Sequence, residues 1–148
     1  MISKLVVIGV GLIGGSLACA LRKAGKVETV VGVGRGIANL EQAVELGVID
    51  SYSQDAAQAV VDADMVVIGA TLGSTADILA RIAPALGPGT VVTDVGSTKA
   101  SVVASARAAL GEKFARFVPG HPIAGTEHSG AQAAFAELYV GHRVILTP

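Results

Sequence analysis

The chain has 148 residues, a formal net charge of -1 and a single cysteine, Cys19. This length predicts one domain, residues 1–148, whose core must be aliphatic because only 3% of the residues are aromatic. The charge balance excludes the basic stripe that nucleic-acid binding requires. One cysteine argues against a disulfide framework within the chain and is compatible with a reducing cytoplasm.

Short β-branched runs alternate along the chain with longer stretches rich in alanine and leucine. This alternation is typical of a doubly wound, mostly parallel α/β sheet with helices on both faces, so we expect the strands to be buried on both sides. The predicted strands are residues 4–8, 29–33, 65–70, 90–93, 115–118 and 143–146. The predicted helices are residues 12–24, 39–46, 74–82, 99–110 and 129–138, with a shorter one at 55–60.

The apolar run at residues 5–21 imitates a signal peptide, because it follows Lys4 and ends in small residues. Its glycines favour a different structure, since they fall where a buried strand would turn into a helix. The run is also shorter than the roughly 20 residues that a membrane span needs. We therefore expect a soluble chain without a membrane segment.

The first predicted strand is followed by the sequence "GVGLIG", a G-x-G-x-x-G motif at the opening of a helix. Gly9 permits a tight turn, Gly11 lets the backbone approach a pyrophosphate, and Gly14 lets the helix pack closely on the strand. The anion would lie at the helix N-terminus, against Leu12 and Ile13. Although a glycine-rich turn without a ligand is the alternative, this context predicts a dinucleotide-binding Rossmann fold.

The end of the second strand bears on the choice of cofactor. In NAD-binding folds an acidic residue about 20 positions after the motif accepts hydrogen bonds from the adenosine ribose. Here Gly34, Arg35 and Gly36 occupy that place, and no carboxylate does. Because a guanidinium can pair with a 2′-phosphate, the sequence favours NADP over NAD. A solvated surface arginine, or an enzyme that uses both cofactors, stays open.

Residues that follow the other strands are candidates for the same crevice, since ligands of open α/β sheets bind beyond the carboxyl ends of the strands. Ala70 and Thr71 are predicted to contact the cofactor. Ser97 either caps a helix or presents its hydroxyl to a substrate. Asp94 either orients a neighbour or caps the turn, and Lys99 is interpreted as a first-turn surface lysine.

His121 lies between Gly120 and Pro122, which fix the direction of its imidazole. An imidazole titrating near neutral pH suits a base that takes a proton from an alcohol while hydride leaves the same carbon. His128 and His142 lack this constraint and are interpreted as surface or packing residues. No spacing of His, Cys and carboxylates suggests a metal site.

Taken together, these stretches resemble the prephenate/arogenate (cyclohexadienyl) dehydrogenase family over nearly the whole chain. "DVGSTK" and "GHPIAGTE" are the specific motifs, whereas the glycine turn alone fits many dehydrogenases. The resemblance rests on "VVIGVGLIGGSLA" (6–18), "ELGVID" (45–50), "TDVGSTK" (93–99), "GHPIAGTEHSG" (120–130) and "VILTP" (144–148).

The resemblance implies NAD(P)-dependent oxidative decarboxylation of prephenate or arogenate in tyrosine biosynthesis. His121 would polarise or deprotonate the ring hydroxyl, Ser97 would hydrogen-bond that hydroxyl and the histidine, and Thr126 and Glu127 would lie at the substrate mouth. The helical C-terminal domain of the family, which supplies the homodimer interface and an arginine for the substrate, has no counterpart in these residues. The resemblance thus implies a cofactor-binding domain that does not turn over alone.

At two places the sequence departs from the family pattern. Thr71-Leu72 replaces the common Thr-Pro, and Gly34-Arg35 replaces the acid frequent in NAD-using members.

Two other functions are alternatives to this interpretation. The first is another Rossmann dehydrogenase acting on a small acid. The second is a regulatory module that senses a dinucleotide without chemistry.

Overall fold

A computed structural model describes residues 1–147. The strands are β1 (Ile2–Ile8), β2 (Val27–Val33), β3 (Ser51–Ser53), β4 (Met65–Ile68), β5 (Val91–Asp94), β6 (Phe117–Val118), β7 (Gly120–Pro122) and β8 (Val144–Leu146). The helices are α1 (Leu12–Lys23), α2 (Ile37–Glu45), α3 (Ala56–Ala59), α4 (Leu72–Ile82) and α5 (Lys99–Leu110). Short 3-10 turns follow at Ala83–Ala85, Gly111–Arg116 and Ala131–Ala133.

Six strands form one sheet in the order β3-β2-β1-β4-β5-β6, and all neighbouring pairs in it are parallel. The chain first winds outward from β1 to β3 and then returns to place β4 on the other side of β1. This confirms the predicted doubly wound Rossmann-type sheet. The reversal leaves a crevice beyond the carboxyl ends of β1 and β4, where a ligand of such a sheet binds.

Alternate residues of β1 enter separate apolar cores on the two faces of the sheet. Val6 and Ile8 pack with residues of α3, α4 and α5, whereas Leu5 and Val7 pack with residues of α1 and α2. Burial on both faces explains why the central strands are continuous apolar runs. The rigid sheet therefore holds the loops at its carboxyl edge in fixed positions. Among residues 1–147, no helix has the length and apolar character needed to cross a bilayer.

The predicted helix at residues 129–138 is wrong. Only Ala131–Ala133 forms a 3-10 turn there, and turns follow it. Two backbone N–H groups in this stretch bond to side chains of other elements, and that of Phe135 would otherwise serve a helical bond to the Ala131 carbonyl. The N–H of Ala131 donates to Asn39 Oδ1 at 2.9 Å, and that of Phe135 donates to Ser16 Oγ at 3.0 Å. Tertiary contacts with α1 and α2 thus outweigh the helical propensity of the alanines.

The predicted strand at residues 143–146 exists as β8, but it lies outside the parallel sheet. It pairs antiparallel with β7, a strand that the sequence pattern did not indicate, and β8 is exposed along its length. Pro148, the last residue of "VILTP", lies outside the described residues. β3 was also missed, while the other predicted elements differ from the observed ones mainly at their ends.

Tyr139 fastens the segment after residue 130 to α1, because its hydroxyl donates to the Ile13 carbonyl at 2.7 Å. Burial raises the pKa of Tyr139 to about 12. Tyr139→Phe should lower the free energy of unfolding at neutral pH by about 1 kcal/mol, because one hydrogen bond is lost.

This difference should shrink as the pH rises from about 10 towards about 12, since the unfolded tyrosine ionises there while the folded one stays neutral. The folded protein then binds more protons than the unfolded chain, so its stability falls with pH, and the phenylalanine variant escapes this loss. Urea denaturation of both proteins over this pH range checks the prediction. A difference that stays constant would contradict it.

Candidate active site

The glycine turn packs tightly against the end of β4. Gly9 has a φ of +93°, and a Cβ at this position would lie 2.7 Å from the backbone of Gly69 and Ala70. A Cβ on Gly14 would lie 2.7 Å from the Gly9 carbonyl oxygen. Glycine is therefore required at both positions for β1, β4 and α1 to approach one another.

Gly11 differs from these glycines, because within residues 1–147 no atom beyond its own neighbours in the chain lies within 4 Å of where its Cβ would be. It caps α1 in an extended conformation, and in the described part of the chain no side-chain hydrogen bond caps the first N–H groups of that helix. Free N–H groups beside open space at a helix N-terminus form a place for an anion. These features fit the pyrophosphate of a dinucleotide.

A cleft of about 500 Å³ opens on one side of the glycine turn. It brings together side chains from four separate loops that the sequence predicted to meet at this edge of the sheet. The predicted residues that line it are Gly11, Leu12, Ile13, Gly14, Ala70, Thr71, Ser97 and His121. Its walls also include Gly69, which the sequence did not single out, and His128, which was interpreted as a surface or packing residue.

His121 and Ser97 reach this cleft from different elements. His121 lies in the middle of β7 opposite Ile145 and is half-buried, whereas Ser97 lies in the exposed loop between β5 and α5. The hydrogen bonds formed by residues 1–147 include none between these two side chains. His128, interpreted as a surface or packing residue, has a side chain that is 72% exposed but borders the same cleft.

A second cleft, of about 350 Å³, lies on the other side of the glycine turn. Gly9, Gly34 and Arg35 line it, and Gln54 holds the loop after β2 by donating to the Arg35 carbonyl at 3.0 Å. The α4 residues Ser74, Asp77 and Arg81 form another wall, and no sequence motif pointed to them. Gly36 is not among the lining residues and instead precedes α2 as its N-cap.

Thr126 and Glu127 are exposed in the loop after β7 and line neither of these clefts. They border a third hollow of about 670 Å³, which shares His128 and Ser129 with the cleft that contains His121. Thr126 Oγ1 accepts the His128 N–H at 3.2 Å, and Glu127 lies 3.5 Å from His128 Nε2. The two residues thus lie beside the His121 cleft rather than within it.

The interpretation of Lys99 as a surface lysine is wrong. Its side chain is only 15% exposed, and Nζ donates to the carboxylate of Asp94 and, at 2.6 Å, to the Gly120 carbonyl. The spacing of five residues in "DVGSTK" places the lysine on the first turn of α5, directly above the end of β5. That spacing could have suggested the pair, but the contact with Gly120 is not local in sequence.

Within residues 1–147, no three His, Cys, Asp or Glu side chains come close enough together to hold a metal ion. The cleft with His121 combines a free helix N-terminus and backbone groups with two imidazoles, those of His121 and His128, and with hydroxyls that include that of Ser97.

The comparison with known proteins decides the family. The model of the nucleotide-binding domain of prephenate dehydrogenase matches residues 17–148. The chain belongs to the prephenate dehydrogenase family. It carries the nucleotide-binding domain of this family of oxidoreductases, as the motifs "DVGSTK" and "GHPIAGTE" indicated.

Two relatives in the family show how much of such an enzyme the chain represents. A cyclohexadienyl dehydrogenase of Zymomonas mobilis is 36% identical over 144 residues, which are 97% of this chain and 48% of that protein. A prephenate dehydrogenase of Bacillus subtilis is 35% identical over 149 residues, covering 100% of this chain and 40% of the relative. The chain therefore spans less than half the length of these relatives.

Two solved structures of the family superpose on this fold. Prephenate dehydrogenase of Aquifex aeolicus, in complex with hydroxyphenyl propionate and NAD⁺, has a TM-score of 0.90 and 34% identity, over 100% of this chain and 51% of that one. Arogenate dehydrogenase of Synechocystis has a TM-score of 0.87 and 34% identity, over 98% of this chain and 50% of that one.

Proposed function

We propose that residues 1–148 form the dinucleotide-binding domain of an enzyme that oxidatively decarboxylates prephenate or arogenate with NADP⁺ or NAD⁺. One observation carries this proposal: His121 and Ser97 line the same cleft as the open glycine turn. The solved relative with NAD⁺ and hydroxyphenyl propionate supports both the cofactor and the class of substrate.

In this proposal the cofactor spans the two clefts. The pyrophosphate lies at the N-terminus of α1, against Gly11, where the free N–H groups face open space. The adenosine enters the cleft with Gly34 and Arg35, and the nicotinamide enters the one with Ala70, Thr71 and His121. Each half of the dinucleotide then has a cleft of its own on either side of the switch in strand order.

The chemistry assigned to this chain is proton transfer at the ring hydroxyl of the substrate. A nicotinamide held in this cleft would supply the acceptor for the hydride of the carbinol carbon. His121 takes the hydroxyl proton as that oxygen gains carbonyl character, so its help is greater in the transition state than in the ground state. Ser97 orients the same oxygen. When the C–CO₂ bond breaks, its electrons make the ring aromatic, and His121 returns the proton to the phenolate oxygen.

The remaining parts of the proposal concern what surrounds this domain. We place Thr126 and Glu127 at the substrate mouth, because their hollow adjoins the His121 cleft. A C-terminal helical domain would supply the homodimer interface and further substrate contacts, so this chain alone should bind cofactor without turning over. The lone free Cys19 is consistent with a cytoplasmic location.

Steady-state measurements with both substrates and both cofactors test the proposal. The complete enzyme should form NAD(P)H and CO₂ in equal amounts from prephenate, arogenate or both. Formation of NAD(P)H from other small hydroxy acids, with none from these two, would favour another Rossmann dehydrogenase. Cofactor binding without turnover of any of them would favour a dinucleotide-sensing module.

The preference for NADP is tested at Arg35, which is exposed and lines the adenosine cleft together with Arg81. Arg35→Ala should weaken NADP⁺ binding roughly 10-fold to 100-fold, because a charge-assisted hydrogen bond to a phosphate contributes about 1.5–3 kcal/mol. NAD⁺ lacks the 2′-phosphate and should lose far less. Titration calorimetry of this chain with each cofactor measures both, and Arg116→Ala, which lines neither cleft, is the control. Equal losses for both cofactors would refute the preference.

A further inference from the structure

The carboxylate of Asp94, at the end of β5, binds the backbone of the residues that immediately precede the two candidate catalytic residues in sequence. Asp94 is only 3% exposed. Its Oδ2 accepts the N–H of Gly96 at 2.9 Å, and its Oδ1 accepts the N–H of Gly120 at 3.2 Å. Gly96 directly precedes Ser97, and Gly120 directly precedes His121. One buried carboxylate therefore holds the backbone from which both side chains extend.

Lys99 completes the arrangement from the first turn of α5. Its Nζ donates to Asp94 Oδ2 and also to the Gly120 carbonyl, at 2.6 Å. Gly120 is therefore held at its N–H by the carboxylate and at its C=O by the ammonium. The residue before His121 has its backbone donor and its backbone acceptor bound to the two members of one ion pair.

Close packing leaves this backbone little room to move. A Cβ on Gly120 would lie 2.9 Å from the Asp94 carbonyl oxygen and 3.3 Å from Thr93 Oγ1. Thr93 Oγ1 in turn donates to the Val118 carbonyl at 2.7 Å. The start of β7 is thus pressed against the end of β5 next to the ion pair.

We infer that Asp94 and Lys99 are positioning residues that fix His121 and Ser97 relative to each other across the cleft. The inference rests on the proposed function, because it gives those two side chains a shared task. Stability alone does not require a buried ion pair, since apolar residues of similar volume often serve as well or better. Charged hydrogen bonds to backbone groups, by contrast, are short and directional and so suit the fixing of geometry.

The test compares Asp94→Asn, Lys99→Met and the double variant in the complete enzyme. Each single variant should lower kcat roughly 10-fold to 100-fold, as expected when reacting groups are misplaced by about 1 Å. The cofactor Kd should stay within about threefold, since the glycine turn is untouched. The double variant should recover most of the lost thermal stability, because no unpaired charge remains buried, but kcat should stay low.

Lys113→Met is the matched control. This lysine also bonds to two backbone carbonyls, those of Ala83 at 2.7 Å and Leu86 at 2.9 Å, near the end of α4 and away from the clefts. Its replacement should reduce stability and leave kcat unchanged. If kcat recovers with stability in the Asp94/Lys99 double variant, or falls as much in Lys113→Met, the pair is only structural and the inference is overturned.

A second measurement separates this inference from the proposed function. In NMR spectra of this chain, Asp94→Asn should shift the amide signals of Gly96 and Gly120 and the ring signals of His121, whether or not any substrate turns over. Unchanged ring signals for His121 would overturn the positioning role. If this chain shows these shifts but the complete enzyme without any substitution has no dehydrogenase activity, the proposed function is overturned instead.

Discussion

Replacement of His121 by asparagine is expected to lower kcat by roughly 10²-fold to 10⁴-fold, the usual contribution of a general acid–base group. Asparagine can still hydrogen-bond the ring hydroxyl of the substrate, but it cannot take its proton. The Kd of the cofactor should be unchanged, because the N-terminus of α1 and the second cleft do not include residue 121. Steady-state kinetics and a cofactor titration of the same preparation measure the two effects.

His142→Asn serves as the control for this experiment. His142 Nδ1–H donates a hydrogen bond to the Ile123 carbonyl, 3.0 Å away, and His142 lines neither of the two cofactor clefts. Its replacement should change kcat by no more than a few-fold. Comparable losses for both variants would mean that His121 acts through the fold rather than on the substrate.

Gly11→Ala should weaken cofactor binding by about two orders of magnitude, or about 2.7 kcal/mol, while the fold survives. Among residues 1–147 the added methyl group meets no atom within 4 Å beyond its own chain neighbours, so it would occupy the open space that we assign to the pyrophosphate. The free energy of unfolding should change by no more than about 1 kcal/mol, the range for an N-cap glycine replaced by alanine. Calorimetric titration and urea denaturation measure the two quantities.

Gly14→Ala is the matched comparison, because it adds the same methyl group at a closely packed position. Its Cβ would lie 2.7 Å from the Gly9 carbonyl oxygen and 2.9 Å from Val7 Cγ1. This variant should lose about 1–3 kcal/mol of stability through overpacking. If Gly11→Ala binds the cofactor as tightly as the wild type, the pyrophosphate does not lie where we place it.

The central strands could be predicted from the sequence because the pattern that marks them lies within a few consecutive residues. Val6 and Val7 face opposite sides of the sheet, and both sides are covered, so consecutive β-branched residues mark the strand. The glycine turn was equally readable, since Gly9 and Gly14 are demanded by contacts within the first βα unit and its neighbour β4. The crevice at the carboxyl edge then followed from the topology.

The features that were missed depend on contacts between distant parts of the chain. Ser51–Ser53 carries little apolar pattern and becomes a strand only by pairing with β2 at the edge of the sheet. The residues around Ala131 have a helical sequence pattern, but the N–H groups of Ala131 and Phe135 donate to the side chains of Asn39 and Ser16. Lys99 looks like a surface residue until Gly120, 21 positions later, supplies its carbonyl.

A crystal structure of this chain with NADP⁺ and 4-hydroxyphenylpyruvate would test the proposed site most directly. We predict that the nicotinamide ring lies in the cleft between Ala70 and His121, with the imidazole within hydrogen-bond reach of the phenol oxygen, about 2.6–3.2 Å. A nicotinamide bound outside this cleft, or an imidazole turned away from that oxygen, would contradict the role of His121.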